Sequence, residues 1–176
     1  MRKLSMDELN RINVEQFQQA PKIPVFIILD NVRSLHNIGS IFRTSDAFRI
    51  EKLFLCGITA TPPHRDIHKS ALGSTESVEW EYYSDSSEIT KKLKADNVEI
   101  FAIEQTDKSI LLNNFTIKRH KKNAYVFGNE VNGVSDEVLS LCDFSLEIPQ
   151  FGTKHSFNVA VSAGIVLWKD FVDRMM

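Results

Sequence analysis

The most constraining feature of the sequence is an unbroken apolar run at residues 24–29, closed by Asp30 and Asn31. Its length and its β-branched residues favour a strand that is buried on both faces. Similar runs predict strands at 52–56, 78–83, 98–103, 124–127 and 144–148, with helical patterns at 37–48, 64–72, 85–95, 135–142 and 156–172. Strands that alternate with helices in this way predict an α/β fold, in which helices cover both faces of a mostly parallel sheet.

A parallel sheet brings the carboxyl ends of its strands to one edge, and ligands of such sheets bind in the crevice there. The loops that follow Leu29, Ile103, Phe127 and Ile148 are therefore the expected place for a site. The pattern leaves the order of the strands open.

The first 21 residues form a separate segment in the sequence. Ser5 and Glu8 have the spacing of a helix-capping box, and Pro21 ends the segment. Apolar residues recur between them at roughly helical spacing: Met6, Leu9, Ile12 and Phe17. We expect a helical extension at 1–21, followed by a single domain at 22–176.

Composition indicates an ordinary globular protein, with 43% hydrophobic and 25% charged residues among 176. The N-terminus lacks the pattern of a secretory signal, and the longest apolar stretch, near 157–168, is too short to span a bilayer. Cys56 and Cys142 are expected to be free, buried thiols in a reducing compartment. These features predict a cytoplasmic protein with no membrane partner.

Charge gives a mixed indication about nucleic acid. The formal net charge of −2 and the pI near 6.2 count mildly against an RNA partner. Residues 118–122, however, read Lys-Arg-His-Lys-Lys. Either a solvated loop or an RNA contact explains such a run, and the sequence leaves both open.

The first segment with a chemical pattern opens the predicted helix at 37–48. Asn37, Gly39 and Arg43 follow a buried strand, and the guanidinium of an arginine is suited to bidentate contact with phosphate. Gly39 permits the close approach of a backbone or a ligand. Taken alone, the segment is slightly more typical of a helix start that carries a surface arginine.

The second segment leaves the strand at 124–127 through Gly128, and Glu130 and Gly133 follow. It superficially resembles a dinucleotide fingerprint, but Glu130 occupies the position of the middle glycine. The acidic residue expected further along the chain is also absent, so we reject a Rossmann site for NAD.

The third segment runs from Ile148 through Gly152 to Ser156, Phe157 and Asn158, at the start of an apolar helix. Ser156 is the expected N-cap of that helix. Asn158 is expected to be a buried amide, which needs hydrogen-bond partners.

Two other kinds of site are weakly supported. His64 and His68 could share one helix face as zinc ligands do, but no third ligand is evident, so no metal is expected. The sequence contains no GxSxG elbow, which argues against a serine hydrolase.

Together, in their order and spacing, the three segments resemble the three motifs of the SpoU, or TrmH-like, RNA ribose 2′-O-methyltransferases. The resemblance covers residues from about 24 to 168, and Phe157 stands where the family usually has leucine. It implies the SPOUT fold, with a C-terminal trefoil knot, and a homodimer.

The resemblance also implies S-adenosyl-L-methionine as cofactor and assigns site residues. Cofactor-binding positions match Gly128, Ile148 and Phe157. Catalytic positions match Arg43, Asn37, Glu130, Ser156 and Asn158. The implied function is cofactor-dependent methylation of a ribose 2′-hydroxyl, with tRNA favoured as substrate because a minimal chain can address a small structured RNA. Ribosomal RNA, or an inactive RNA-binding module of the same fold, is the alternative.

Overall fold

The computed structural model describes residues 1–5 and 7–175. It contains one seven-stranded sheet in the order β3-β2-β1-β6-β4-β7-β5, and every pair of neighbouring strands is parallel. The strands are β1 (Ile23–Asp30), β2 (Ile50–Cys56), β3 (Trp80–Tyr83), β4 (Glu99–Ile103), β5 (Ile110–Leu111), β6 (Asn123–Phe127) and β7 (Phe144–Glu147). The helices are α1 (Val14–Gln19), α2 (Leu35–Phe48), α3 (Arg65–Ala71), α4 (Ser74–Ser77), α5 (Ser86–Ala95), α6 (Asp136–Leu141) and α7 (Val159–Met175).

Alternate residues of the central strands enter two separate cores, one on each face of the sheet. Ile27 of β1 and Phe101 of β4 belong to the core that also contains residues of α2, α3 and α7. Their neighbours Ile28 and Ile100 belong to the core that contains residues of α5 and α6. Helices therefore cover both faces, and the predicted α/β fold with a parallel sheet is confirmed.

Because the sheet is parallel, one edge carries all the carboxyl ends and the opposite edge all the amino ends. We call these the carboxyl edge and the amino edge. Strands β1, β6, β4 and β7 are consecutive neighbours. The loops that follow them, which the sequence indicated as the expected place for a site, therefore meet at the carboxyl edge.

The N-terminal segment is not one helix, contrary to the expectation for residues 1–21. It forms a 3-10 turn at Asp7–Leu9 and the short helix α1, and Asn10 between them has a positive φ of 48°. The Ser5–Glu8 capping box does form, but Asn13 and Gln16 make a second capping box that starts α1 anew. Met6, one of the residues in the predicted apolar pattern, lies outside the described residues.

The last helix also differs from the prediction, because α7 begins at Val159 rather than at 156. It packs beside α2, where the ring of Phe48 lies 6.4 Å from that of Trp168 and 5.7 Å from that of Phe171. The short elements α4 and β5 were not predicted, since two to four residues are too few to show a periodicity.

A buried charged network closes the amino edge near the start of β6. Asp170 on α7 accepts hydrogen bonds from Tyr125 Oη at 2.6 Å, from Asn123 Nδ2 at 3.0 Å and from the guanidinium of Arg174. Asp170 is fully buried and Arg174 is 4% exposed. Arg174 also donates to the carbonyl oxygens of Arg119 at 2.8 Å and Lys121 at 3.1 Å, so it ties the loop before β6 to the end of α7.

The two cysteines differ slightly from the expectation of buried, free thiols. Cys56 is buried, Cys142 is half-buried and both are free. Burial raises the pKa of each thiol to about 12, so neither is a reactive thiolate. Within residues 1–5 and 7–175, no helix is long and apolar enough to cross a membrane.

Candidate active site at the carboxyl edge

A cavity of about 560 Å³ opens at the carboxyl edge, above β4, β6 and β7. Its walls come from the loops after these three strands and from the segment that leads into α7. Residues from all three loops line it, namely Ile103, Glu104, Gln105, Phe127, Gly128, Asn129, Glu130, Leu146, Glu147, Ile148 and Gln150, together with His155, Ser156, Phe157, Asn158 and Val159. The wall is mixed in polarity, as expected for a site that orients a small polar ligand.

The loop after β6 is held in place by carboxylates from neighbouring strands. Asp30, at the end of β1, accepts the backbone N–H of Ser135 at 2.8 Å. Glu104, just after β4, accepts the backbone N–H of Val134 at 3.0 Å. Each carboxylate satisfies a donor that a buried loop would otherwise leave unpaired, so these bonds define the shape of the cavity wall.

Asn129 closes the loop from its other side. Its Nδ2 donates to the carbonyl oxygen of Asn31 at 2.8 Å, and its Oδ1 accepts the backbone N–H groups of Val131 and Asn132. The loops after β1 and β6 are therefore joined directly, across neighbouring strands.

Glu130 also links the loop after β1 to the loop after β6. Its two carboxylate oxygens accept the backbone N–H groups of Arg33 and Ser34, each at 3.0 Å, and Oε1 also accepts Asn37 Nδ2 at 3.2 Å. Partial burial pushes the pKa of Glu130 upward, but the backbone donors and the Asn37 amide push it further downward. Its pKa therefore lies below the ordinary 4.5, and Glu130 is ionised at neutral pH.

The hydrogen bonds of Glu130 extend through Asn37 to the start of α7. Asn158 Nδ2 donates to Asn37 Oδ1 at 3.0 Å, and Asn158 Oδ1 accepts the backbone N–H of Ala160 at 2.9 Å. Asn158, not Ser156, is thus the residue that caps α7, because its side chain reaches the first free N–H groups of the helix. Asn158 is also exposed rather than buried, so the expectation of a buried amide was wrong, although the amide is well partnered.

Gly128 and Gly133 are required by close backbone approach. A Cβ at Gly128 would lie 2.0 Å from the carbonyl carbon of Gly133, and a Cβ at Gly133 would lie 2.2 Å from Glu104 Oε2. Gly133 also has a positive φ of 71°. The loop after β6 folds back on itself here, with Asn129 and Gly133 bonded in both directions at 2.9 Å.

The structure places most of the sequence-predicted residues around one cavity. Gly128, Ile148 and Phe157, predicted to bind the cofactor, all line it. So do three of the predicted catalytic residues: Glu130, Ser156 and Asn158. Asn37 lies just behind the wall, bonded to two of them.

Arg43 is the exception, because it does not line the cavity. It lies on the solvent side of α2, and no carboxylate pairs with it within the described part of the chain. Six positions along a helix correspond to a rotation of about 240° relative to Asn37, so the two side chains leave α2 in different directions.

Sequence reasoning missed the scaffold residues Asp30, Glu104 and Asn129. A polar residue that directly follows a buried strand was the available signal, since each of the three stands at or just beyond a strand's carboxyl end. Each of the three has a backbone partner in a distant loop, namely Ser135, Val134 and Asn31, and no local pattern reveals such a contact.

The described residues contain no cluster of three or more His, Cys, Asp or Glu side chains that could hold a metal ion. His64 instead caps α3, with its Nδ1 accepting the backbone N–H of Asp66 at 3.2 Å.

Comparisons with known proteins agree with this architecture. A 23S rRNA (guanosine-2′-O-)-methyltransferase of Neisseria meningitidis is 28% identical over 90% of this chain and 62% of its own length. A tRNA (guanosine(18)-2′-O)-methyltransferase of Thermus thermophilus is 27% identical over 92% of this chain and 81% of its own. The chain thus spans less than two thirds of some curated relatives.

A solved AdoMet-bound rRNA methyltransferase from Sinorhizobium meliloti superposes with a TM-score of 0.78 and 25% identity, over 88% of this chain and 59% of its own. The family model for the SpoU rRNA Methylase family matches residues 24–168, which include the entire cavity wall and all strand residues except Ile23. The chain therefore belongs to the SpoU methylase family.

Proposed function

We propose that this protein is an S-adenosyl-L-methionine-dependent RNA (ribose-2′-O)-methyltransferase. The observation that carries the proposal is the single cavity at the carboxyl edge, where residues of the second and third sequence motifs form the wall and Asn37 of the first motif ties them together. The names of relatives along most of the chain support the same activity.

The cavity suits the cofactor in size and in lining. Its volume of about 560 Å³ lies within the range of roughly 300–1,000 Å³ that is usual for small-molecule sites. Ile148 and Phe157 offer apolar surface, while the loop at Gly128 offers backbone groups that can hold an adenosyl moiety. When bound there, the cofactor supplies an activated methyl group, and its transfer to a ribose oxygen leaves S-adenosylhomocysteine and a proton.

The residues of the chain contribute mainly by positioning. Glu130 keeps the loop after β1 and the side chain of Asn37 fixed through charge-assisted hydrogen bonds. Asn37 in turn fixes Asn158 at the cavity wall, close in sequence to Ser156. In-line displacement rewards such fixed geometry, because aligned reactants avoid much of the entropic cost of encounter. In this role Ser156 and Asn158 orient the hydroxyl or the methionyl end of the cofactor.

Arg43 takes a different part in this proposal. Its guanidinium faces solvent outside the cavity, where an RNA phosphate can reach it. There it would hold the backbone of the substrate through bidentate contact with a phosphate, and so keep the ribose in register with the cavity.

We favour tRNA as the substrate and keep ribosomal RNA as the alternative. Two relatives named for tRNA are matched over 63% and 81% of their lengths, and two relatives named for 23S rRNA over 62% and 55%. A catalytically inactive RNA-binding module of the same fold is the other alternative.

Three structural expectations belong to the same proposal: a C-terminal trefoil knot, a homodimer, and an extension at 1–21 attached to a domain at 22–176. Support for the dimer comes from an apolar stripe on α7, formed by Val161, Trp168 and Met175, whose side chains are 50 to 60% exposed. Their spacing of seven residues places them on one face of α7, and exposed apolar residues on one helix face are typical of subunit interfaces. Phe17, in contrast, is buried in the main core and attaches the extension to the domain.

The test is single-turnover transfer of a labelled methyl group to an unmodified tRNA transcript and to ribosomal RNA, with calorimetry of S-adenosylhomocysteine binding beside it. We expect cofactor binding and labelling of tRNA, with the label on a 2′-oxygen after nucleoside digestion. Preferential labelling of ribosomal RNA would shift the proposal to the alternative substrate. RNA binding without cofactor binding would identify an inactive module.

A further inference from the structure

We propose that the loop at residues 118–122, at the amino edge of the sheet, is a second RNA-binding surface that contacts phosphates remote from the methylated nucleotide. The inference deepens the proposed function and rests on RNA being the substrate. The loop lies at the amino edge of the sheet, whereas the cavity lies at the carboxyl edge.

Positive charge is concentrated at this loop more than anywhere else in the sequence. Lys118, Arg119, Lys121 and Lys122 lie within five positions, and removing their charges would take the formal net charge from −2 to −6. All four side chains are exposed. None lies within 4 Å of a carboxylate in the described part of the chain.

A second lysine cluster shows that this is not the general state of basic residues in the protein. Lys91, Lys92 and Lys94 on α5 also lie close together, but each has an acidic partner: Glu137, Glu88 and Asp143 at 3.1, 2.8 and 2.8 Å. Their charge is neutralised locally. The charge of the loop is left available for an anion, and closely spaced cations on one surface are the usual footprint of a nucleic-acid backbone.

The loop is also held in a defined conformation. Arg174, itself buried and paired with Asp170, donates to the carbonyl oxygens of Arg119 and Lys121. Asp173 accepts the backbone N–H of Ile117 at 2.8 Å, and Lys121 N–H bonds to the carbonyl of Lys118 at 3.1 Å. A backbone held in this way lowers the entropy lost when the side chains engage a ligand.

The distance between the loop and the cavity indicates how far a bound RNA must extend. Strand β6 begins directly after Lys122 and ends directly before Gly128 in the cavity wall. Its five residues span about 16 Å at the usual rise per residue. An RNA that reaches both ends must therefore extend along the side of the domain, beyond the nucleotide held in the cavity.

The experiment compares two triple variants that each remove three lysines. K118A/K121A/K122A alters the loop, and K91A/K92A/K94A alters the neutralised cluster on α5. Loop substitutions leave the carbonyl groups that Arg174 binds in place, so the fold should persist, and calorimetry with S-adenosylhomocysteine checks this. The probe is an unmodified tRNA transcript, with affinity measured from 50 to 200 mM salt.

We expect the loop variant to bind the transcript about ten-fold more weakly at 150 mM salt, and its salt slope to fall by about 2 to 3. Cofactor affinity and the rate at saturating RNA should stay within about two-fold of wild type, since phosphate contacts remote from the site act mainly on binding. The α5 variant should change affinity by less than about two-fold, because exposed ion pairs leave little charge free for another anion.

Equal losses in both variants, or none in the loop variant, would overturn the proposal. Loop-dependent binding to anionic phospholipid vesicles without any to RNA would overturn it too, by identifying another partner. The proposed function fails separately: if the loop binds RNA but no methyl group is transferred, the surface stands and the enzymatic assignment does not. If transfer proceeds and the loop has no effect on affinity, the enzymatic assignment stands alone.

Discussion

Carboxylates have different partners at the two edges of the sheet. At the carboxyl edge, Asp30, Glu104 and Glu130 accept backbone N–H groups of distant loops, and none of the three pairs with a cation within the described residues. At the amino edge, Asp170 is neutralised by Arg174 and Asp173 by Lys169, while the lysines of the neighbouring loop face solvent.

The difference in partners corresponds to a difference in role between the two edges. Carboxylates that bind neutral N–H groups shape a cavity wall and leave no competing cation beside a ligand. At the amino edge, a buried ion pair holds the end of α7 in place. Removing one partner should lower the free energy of unfolding strongly, because the other partner is left as a buried, unpaired charge. Substitutions at the amino edge should therefore affect stability, and those at the carboxyl edge mainly the site.

The largest expected effect is at the amino edge. Asp170→Ala leaves the buried guanidinium of Arg174 without its carboxylate and Tyr125 Oη without its acceptor, so the free energy of unfolding should fall by about 3–5 kcal/mol. Urea denaturation followed by circular dichroism measures it. Lys169→Ala, which breaks the less buried pair with Asp173, is the control and should cost about 1 kcal/mol or less. An Asp170→Ala loss no greater than that of the control would show that the network is not an anchor.

Arg43 should show the reverse pattern. Arg43→Ala removes an exposed side chain that pairs with no carboxylate of the described residues, so stability and S-adenosylhomocysteine affinity should hardly change. Methyl transfer should fall about a hundred-fold, because a substrate that is slightly misplaced loses about that much in rate. Arg43→Lys should restore little, because an ammonium lacks the planar fork. Near wild-type transfer by Arg43→Ala in a single-turnover assay would make Arg43 an ordinary surface residue.

A third prediction concerns the backbone contact at the carboxyl edge. Gly128→Ala places a methyl group against the backbone of Gly133 and Val134, which cannot move without disturbing the carboxylate contacts. Stability should fall by about 1–3 kcal/mol, with a matching loss of cofactor affinity. Gly152→Ala is the matched control, since a Cβ there meets nothing within 4 Å. Thermal unfolding and calorimetry of the two variants should therefore diverge, and equal behaviour would contradict the close approach.

The smallest expected effect is the pH dependence of Glu130. Because its folded-state pKa lies below the ordinary 4.5, its contribution to stability is complete above that pH and is lost as the pH falls through the folded value. Glu130→Gln should thus be less stable than wild type at neutral pH, by at most about 1 kcal/mol for so exposed a group. The gap should close in acid. A gap that stays constant down to about pH 3 would show that charge is not what Glu130 contributes.

Much of the fold was predictable because its signals are local. Strand β1 and helix α5 lie within two residues of their predicted bounds, since buried strands and caps such as Asp85 leave patterns in short windows. The prediction of one helix at the N-terminus was wrong because the segment contains two capping boxes. The first starts only a short turn, the second starts α1, and helix propensity does not show which of the two begins the main helix.

The candidate site divides along the same line. The alternation of strands and helices predicted the edge, because parallel strands must end at a common edge. The resemblance to the family then picked out the residues there that the structure brings to one cavity: Gly128, Glu130, Ile148, Ser156, Phe157 and Asn158. Spacing on α2 could not show that Arg43 and Asn37 diverge, nor that Asn158 caps α7 and remains exposed.

The sequence by itself therefore determined the class of fold, the edge at which the site lies and the family. Hydrophobic period, strand length and motif order are all properties of nearby residues. The order of the strands, the binding of Val134 by Glu104 and the separation of the basic loop from the cavity were decided only by the tertiary structure. These depend on contacts between residues far apart in the chain, whose free energies are realised only when the whole sheet is assembled.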